Sequence, residues 1–140
     1  MSDEEAIQQT LNLYSEGSCR ADWDQVLGTF TDDGVWDVPS MGKFTGRAEI
    51  EPVMAAFVAR MDYFIQLNTP AIIKVDGDSA TARSVIRECG KFKGKDEALE
   101  VFGFYSDDLV RTAHGWKFSR RSFKSAGMQR FALLPGAPLG

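Results

Sequence analysis

The sequence predicts an α+β domain in which three helices come first and a run of antiparallel strands follows. Apolar residues recur at helical spacing as far as Met61, and beyond it they alternate between turn signals such as Asp76-Gly77. The stretch Phe102–Phe123 adds a third observation: it reads as two long strands joined by a turn over Thr112–Gly115.

Each element has its own local reason. Ser2 and Asp3 followed by Glu5 form a cap, and Ala6, Ile7, Thr10, Leu11 and Tyr14 continue as a helix from Asp3 to Cys19. Asp22 caps a second, short helix carrying Trp23, Val26, Leu27 and Phe30. Asp32-Asp33-Gly34 ends it, and Val35–Val38 is a short strand stopped by Pro39. Gly42 and Gly46 bracket a turn before a third helix with Ile50, Val53, Met54, Phe57, Val58 and Met61, which Pro52 either starts or kinks. Phe64–Val75 reads as one strand, turned at Asp76-Gly77 into Ser79–Phe92. Lys93–Glu97 is the next turn, and Leu99–Arg111 and Trp116–Ala126 complete the sheet. In that last hairpin Asp107 faces Arg120 and Ser106 faces Arg121; a slip of one sets Asp108 against Arg120 instead.

At 140 residues the chain is one domain, 1–131, with a loose tail over 132–140, and it is long enough to build a core without disulfides. Its 44% hydrophobic content is that of a globular protein. No apolar run approaches the ~20 residues of a membrane span, and the acidic N-terminus lacks an export signal, so a cytoplasmic location is expected. A net charge of -4 disfavours nucleic acid. Arg120, Arg121 and Lys124 form either a small anion site or, the reading favoured here, a solvated strand paired with acids opposite. Cys19 and Cys89 lie far apart and the single histidine, His114, sits in the hairpin turn. That pattern supports no metal site, and without a Gly-rich phosphate loop no cofactor is expected. A lone histidine at a turn also weakens any mechanism that needs a buried imidazole.

Three blocks, Phe30–Asp37, Ile73–Ala82 and Val110–Phe118, together resemble SnoaL-like proteins of the nuclear transport factor 2-like superfamily, from Glu4 to about Phe131. The resemblance implies a cystatin-like α+β cone, with three helices closing the concave face of a strongly curved antiparallel sheet around an apolar pocket. It also implies a homodimer formed through the outer sheet face. Members include polyketide cyclases, ketosteroid isomerases, dehydratases, a dehydrochlorinase and modules without activity, so the fold alone does not choose a function.

By that resemblance Asp22 stands where some members carry an acid that orients a catalytic histidine, and Gln66 stands where that histidine is expected. An amide cannot take a proton at neutral pH, so the dyad is broken. Tyr14 and Asp37 match the tyrosine that holds a developing enolate and the aspartate that carries the proton. The second oxyanion donor falls near Phe102 or Gly103, where no acid stands. Asp22 and Asp37 also have plainer readings as a helix cap and a strand-end residue, and Tyr14 as a core aromatic. Trp36, Met54, Phe57, Phe64, Tyr105 and Trp116 are the expected core or pocket lining.

Neighbours on a strand, Arg87 and Glu88 point to opposite faces, and the alternation leaves open which face lines the pocket. An interface salt bridge is the favoured reading for them. The function expected is a cofactor-independent isomerase, cyclase or lyase acting by carboxylate-mediated proton abstraction on a small hydrophobic substrate. The alternative is a non-catalytic ligand-binding or assembly module.

Overall fold

Helix α1 (Asp3–Arg20) opens on a capping box: the Ser2 hydroxyl accepts from the Glu5 N–H at 3.1 Å, and the Glu5 carboxylate accepts from the Ser2 N–H at 2.8 Å. The computed structural model describes residues 1–134. Ile7, Leu11, Tyr14, Ser15 and Ser18 are buried along one stripe of α1, and Ala21, left-handed at φ 55°, ends it. Asp22 caps α2 (Trp23–Leu27) by accepting from the Gln25 N–H at 3.1 Å. Phe30 belongs not to that helix but to β1 (Phe30–Val38). Asp32-Asp33-Gly34, expected as a helix stop, lies inside β1, where the ladder to the last strand shifts register and both acids turn out to solvent.

The segment expected as a turn between Gly42 and Gly46 is a short strand, β2 (Gly42–Thr45), antiparallel to β1. Helix α3 (Arg47–Ala59) contains Pro52 rather than starting at it, and Met61 opens the next strand instead of ending the helix. The single strand expected over Phe64–Val75 is two, β3 (Met61–Asn68) and β4 (Ile72–Asp76). Both pair with β5 (Ser79–Phe92), at opposite ends of it. Pro70, which has no N–H, separates them. The loop is secured by Thr69, whose N–H donates to the Val85 carbonyl at 2.9 Å, and by the Ala71 N–H, which donates to Gln8 at 2.7 Å.

Strands β5, β6 (Glu97–Thr112) and β7 (Gly115–Ala132) are 14, 16 and 18 residues long and carry the domain. The order across the sheet is β2-β1-β7-β6-β5-β3, with β4 beside β5. The sheet is curved and mixed rather than wholly antiparallel, because β1 runs parallel to β7. Hairpins dictate antiparallel neighbours, but these two strands meet only after the chain has crossed the whole sheet, so no turn sets their direction. The end of the expected tail, residues 135–140, lies outside the described residues.

In the β6–β7 hairpin Asp108 lies opposite Arg120 and Asp107 opposite Arg121, the slipped register. Ser119 is the cause. It is skipped between the Leu109–Phe118 and Asp108–Arg120 pairs, so from there on β7 presents the opposite set of side chains to the inner face. Arg121, not Arg120, therefore turns inward. Inside the cone are two buried clusters, one around Ile7, Leu11, Tyr14, Tyr105 and Phe118, the other around Met61, Phe64, Phe92, Leu99 and Val101.

Candidate active site

Between the two clusters is a cavity of about 270 Å³ whose walls draw on both. Trp36, Met54, Phe57, Phe64 and Tyr105 line it, as expected, together with Trp23, Leu99, Val101 and Phe123. The partly exposed Met41 and Met128 mark its mouth. Trp116 is not among its walls. Its indole N–H donates to Asp3 at 3.1 Å and the Arg111 guanidinium stacks on its ring at 4.6 Å, so it seals the core beneath the start of α1.

The polar groups converge at one end. The Tyr14 and Tyr105 hydroxyls, from α1 and β6, are 3.1 Å apart in a hydrogen bond. Whichever of them donates, the other keeps its hydrogen for a partner in the cavity. Gln66, on β3, accepts from the Ser15 hydroxyl at 2.8 Å and donates through Nε2 to Glu88 Oε1 at 2.6 Å. Glu88, on β5, opens onto the cavity and is otherwise enclosed. Burial pushes its carboxyl up to about 7, against the lowering pull of the Gln66 N–H and the Arg121 charge. Burial likewise pushes Tyr105 up to about 12 and Tyr14 well above the usual phenol range, so both hydroxyls stay neutral hydrogen-bond donors.

Behind this polar end lies Arg121. Neither a solvated residue nor part of an anion site, its side chain has no exposed surface, and it meets Asp107, equally enclosed, at 3.1 Å. The meeting is an ion contact without hydrogen-bond alignment. The guanidinium is packed against the rings of Tyr105, Tyr14 and Phe118 at 3.7, 4.1 and 4.5 Å. Its charge opposes the desolvation of Glu88, Tyr14 and Tyr105 alike. Burial raises the Asp107 carboxyl to about 6, with Arg121 pulling the other way.

Of the four expected catalytic residues, the structure brings Tyr14 and Gln66 together and leaves out the two aspartates. Asp22 is exposed and occupied with capping α2. Asp37 is buried, but it alternates with Trp36 and Val38, which face the cavity, so it points to the other side of the sheet and pairs with Arg120. Where the second oxyanion donor was expected, Gly103 has no side chain, and a Cβ there would come within 2.4 Å of the Phe123 ring. The second hydroxyl comes from Tyr105, two residues further along the same face. Arg87 and Glu88 do not pair with each other: Arg87 binds Glu100 on the outer face, and Glu88 faces in. Among the described residues no group of three or more His, Cys, Asp and Glu side chains is placed to hold a metal ion.

Residues 1–122 match the model of the SnoaL-like domain. The chain belongs to that family. An uncharacterised protein of Mycobacterium tuberculosis, Rv2910c, is 29% identical over 123 residues, covering 86% of this chain and 84% of its own. Among solved structures, a chain from Novosphingobium aromaticivorans named as a putative aromatic ring hydroxylase superposes with a TM-score of 0.85 at 27% identity, over 92% of this chain and 93% of its own. A hexachlorocyclohexane dehydrochlorinase, LinA type 2, superposes at 0.86 with 18% identity, over 97% and 93%, a likeness of fold alone. No described helix of this SnoaL-like chain is long and apolar enough to cross a membrane.

Proposed function

We propose that the cavity is the active site of a cofactor-independent lyase or isomerase that removes a proton from carbon in a small, neutral, largely apolar ring compound. The observation that carries this reading is Glu88: a carboxyl raised to about 7, tethered by one oxygen to Gln66 and set beside two phenolic hydroxyls in an apolar cavity. A base whose pKa lies near the working pH combines a large deprotonated fraction with real proton affinity. Glu88 takes the proton as the C–H bond breaks. The electron pair passes to the substrate's carbonyl oxygen, held by the free hydroxyl of the Tyr14–Tyr105 pair, or expels a leaving group from the neighbouring carbon. In an isomerase Glu88 then returns the proton elsewhere on the same molecule.

Arg121 strengthens both hydroxyls as donors without reaching the ligand, since the aromatic rings cover it. Among the described residues the only charged side chain lining the cavity is thus Glu88, which disfavours carboxylate and phosphate substrates. Members of this fold that are dehydrochlorinase by name accord with such chemistry but do not assign it here.

The test is a thermal-shift screen of neutral cyclic ketones, hydroxyketones and haloalkanes, with hits assayed for turnover. Converted hits are expected to lose about 10²–10³ in kcat in Tyr14→Phe and Tyr105→Phe, with smaller changes in KM. A ligand that stabilises the wild type but is never converted would instead support a binding module.

We further propose a homodimer joined through the outer sheet face, where Tyr63, Ile65, Leu67, Val85, Phe102 and Phe104 are exposed together. Sedimentation equilibrium is expected to give twice the chain mass, reduced towards one chain by Phe104→Glu. A monomeric wild type would rule the dimer out.

A further inference from the structure

We propose that Ser15 is a positioning residue for Glu88, acting through the amide of Gln66. The inference rests on the assignment of Glu88 as the base, and its test does not depend on turnover.

Ser15, Ser18 and Cys19, near the end of α1, use their side chains in different ways. Ser18 donates back to the carbonyl of Tyr14 at 2.8 Å, the ordinary resting place for a hydroxyl inside a helix. Ser15 does not. Its hydrogen crosses to β3 and goes to Gln66 Oε1 at 2.8 Å. One turn along the same face, Cys19 accepts the Gln66 backbone N–H at 3.2 Å. Helix α1 thus grips Gln66 by side chain and main chain at once.

The consequence follows from the chemistry of an amide, which has one accepting end and one donating end. Fixing Oε1 on the Ser15 hydroxyl turns the NH₂ towards Glu88, where Nε2 lies 2.6 Å from Oε1 of the carboxylate. The opposite flip would set the amide oxygen against a carboxylate oxygen and strand the Ser15 hydrogen. Ser15 is 5% exposed and Gln66 likewise, so water does not readily replace either partner. One oxygen of Glu88 is thereby held, and the other is left for the substrate proton. The remaining groups facing Glu88, namely Tyr14, Tyr105 and Arg121, come from other positions, and none of them accepts the Ser15 hydrogen.

The test is the titration of the Glu88 side-chain carboxyl, followed by carbon-detected NMR on protein labelled at glutamate and assigned with Glu88→Gln. The Gln66 N–H favours the charged carboxylate, so losing its alignment raises the midpoint. Ser15→Ala and Gln66→Leu are both expected to displace the Glu88 midpoint upward, and the double variant no further than Gln66→Leu alone. Ser15→Thr, which keeps the hydroxyl, is expected to restore the wild-type midpoint. If Ser15→Ala does not fold, Ser15→Cys, of similar shape and with a weak donor, carries the same expectation. A Ser15→Ala midpoint equal to that of the wild type, or shifts that add in the double variant, would overturn the proposal. An upward shift in a protein that converts no substrate would leave the positioning intact and sink the catalytic reading alone.

Discussion

Exchanging Glu88 for glutamine is expected to give a protein that is more stable at alkaline pH and far slower in turnover. The folded state holds this carboxyl at about 7, above the 4.5 of an ordinary glutamate, so folding opposes its ionisation. The neutral form is the one the fold favours. Stability from this group is therefore complete below about 4.5 and is lost as pH rises through 7. Glutamine mimics the neutral form at every pH. At pH 8 the variant should gain about 3 kcal/mol or slightly more in urea unfolding, from roughly 1.4 kcal/mol for each of the 2.5 pH units between the two values. At pH 4 the gain should vanish. Removal of a general base costs typically about 10²–10⁴ in rate, so turnover of any substrate should fall by that much. A site that lowers stability and supplies chemistry is the expected signature of function rather than packing.

The second large effect lies behind the site. Arg121→Met should cost about 3–5 kcal/mol at pH 8, because it takes the counter-charge from the enclosed Asp107 and removes the stacking on Tyr14, Tyr105 and Phe118. The loss should shrink in acid. Asp107 already sits at about 6, above the 3.8 of a free aspartate, so its neutral form is favoured by the fold and its contribution falls away as pH rises through 6. Without Arg121 that midpoint rises further, and at pH 5 a neutral Asp107 no longer needs a partner. Combining Arg121→Met with Asp107→Asn should recover much of the stability at pH 8. Urea unfolding at the two pH values checks both statements. A cost below about 1 kcal/mol would mean that the pair is solvated, as exposed pairs are worth no more than that.

The fold was legible where local chemistry decides it. The Ser2–Glu5 capping box, the Asp22 cap and the β6–β7 hairpin all lie where the residues place them. What escaped was non-local or hidden in a continuous pattern. The parallel β1–β7 pair joins residues that no turn connects. The break between β3 and β4 did have a marker, Pro70, inside what read as one strand. The bulge at Ser119 leaves no trace in composition, yet it decides which of two adjacent arginines is buried.

The site was half legible. The resemblance names Tyr14 and Gln66, which the structure sets in the cavity wall, and aromatic and methionine spacing names most of the apolar walls. Asp37 was misplaced although its own neighbours contradict it, since a strand that turns Trp36 inward must turn Asp37 away. Glu88 could be seen but not oriented, because β5 carries polar residues on both faces. Along the strand, however, Ala80, Ala82 and Ile86 share its face, whereas Thr81, Arg83 and Arg87 share the other. That contrast marks the Glu88 face as the inner one. Ser15 gave no signal, as a serine in an amphipathic helix has many uses.

The most direct measurement is the titration of Glu88 itself, by carbon-detected NMR of the wild type against Glu88→Gln between pH 4 and pH 9. One glutamate carboxyl absent from the variant is expected to titrate with a midpoint near 7. If every glutamate in the wild type titrates in the ordinary carboxylate range near 4–5, Glu88 is solvated, and the cavity has no base poised for proton abstraction.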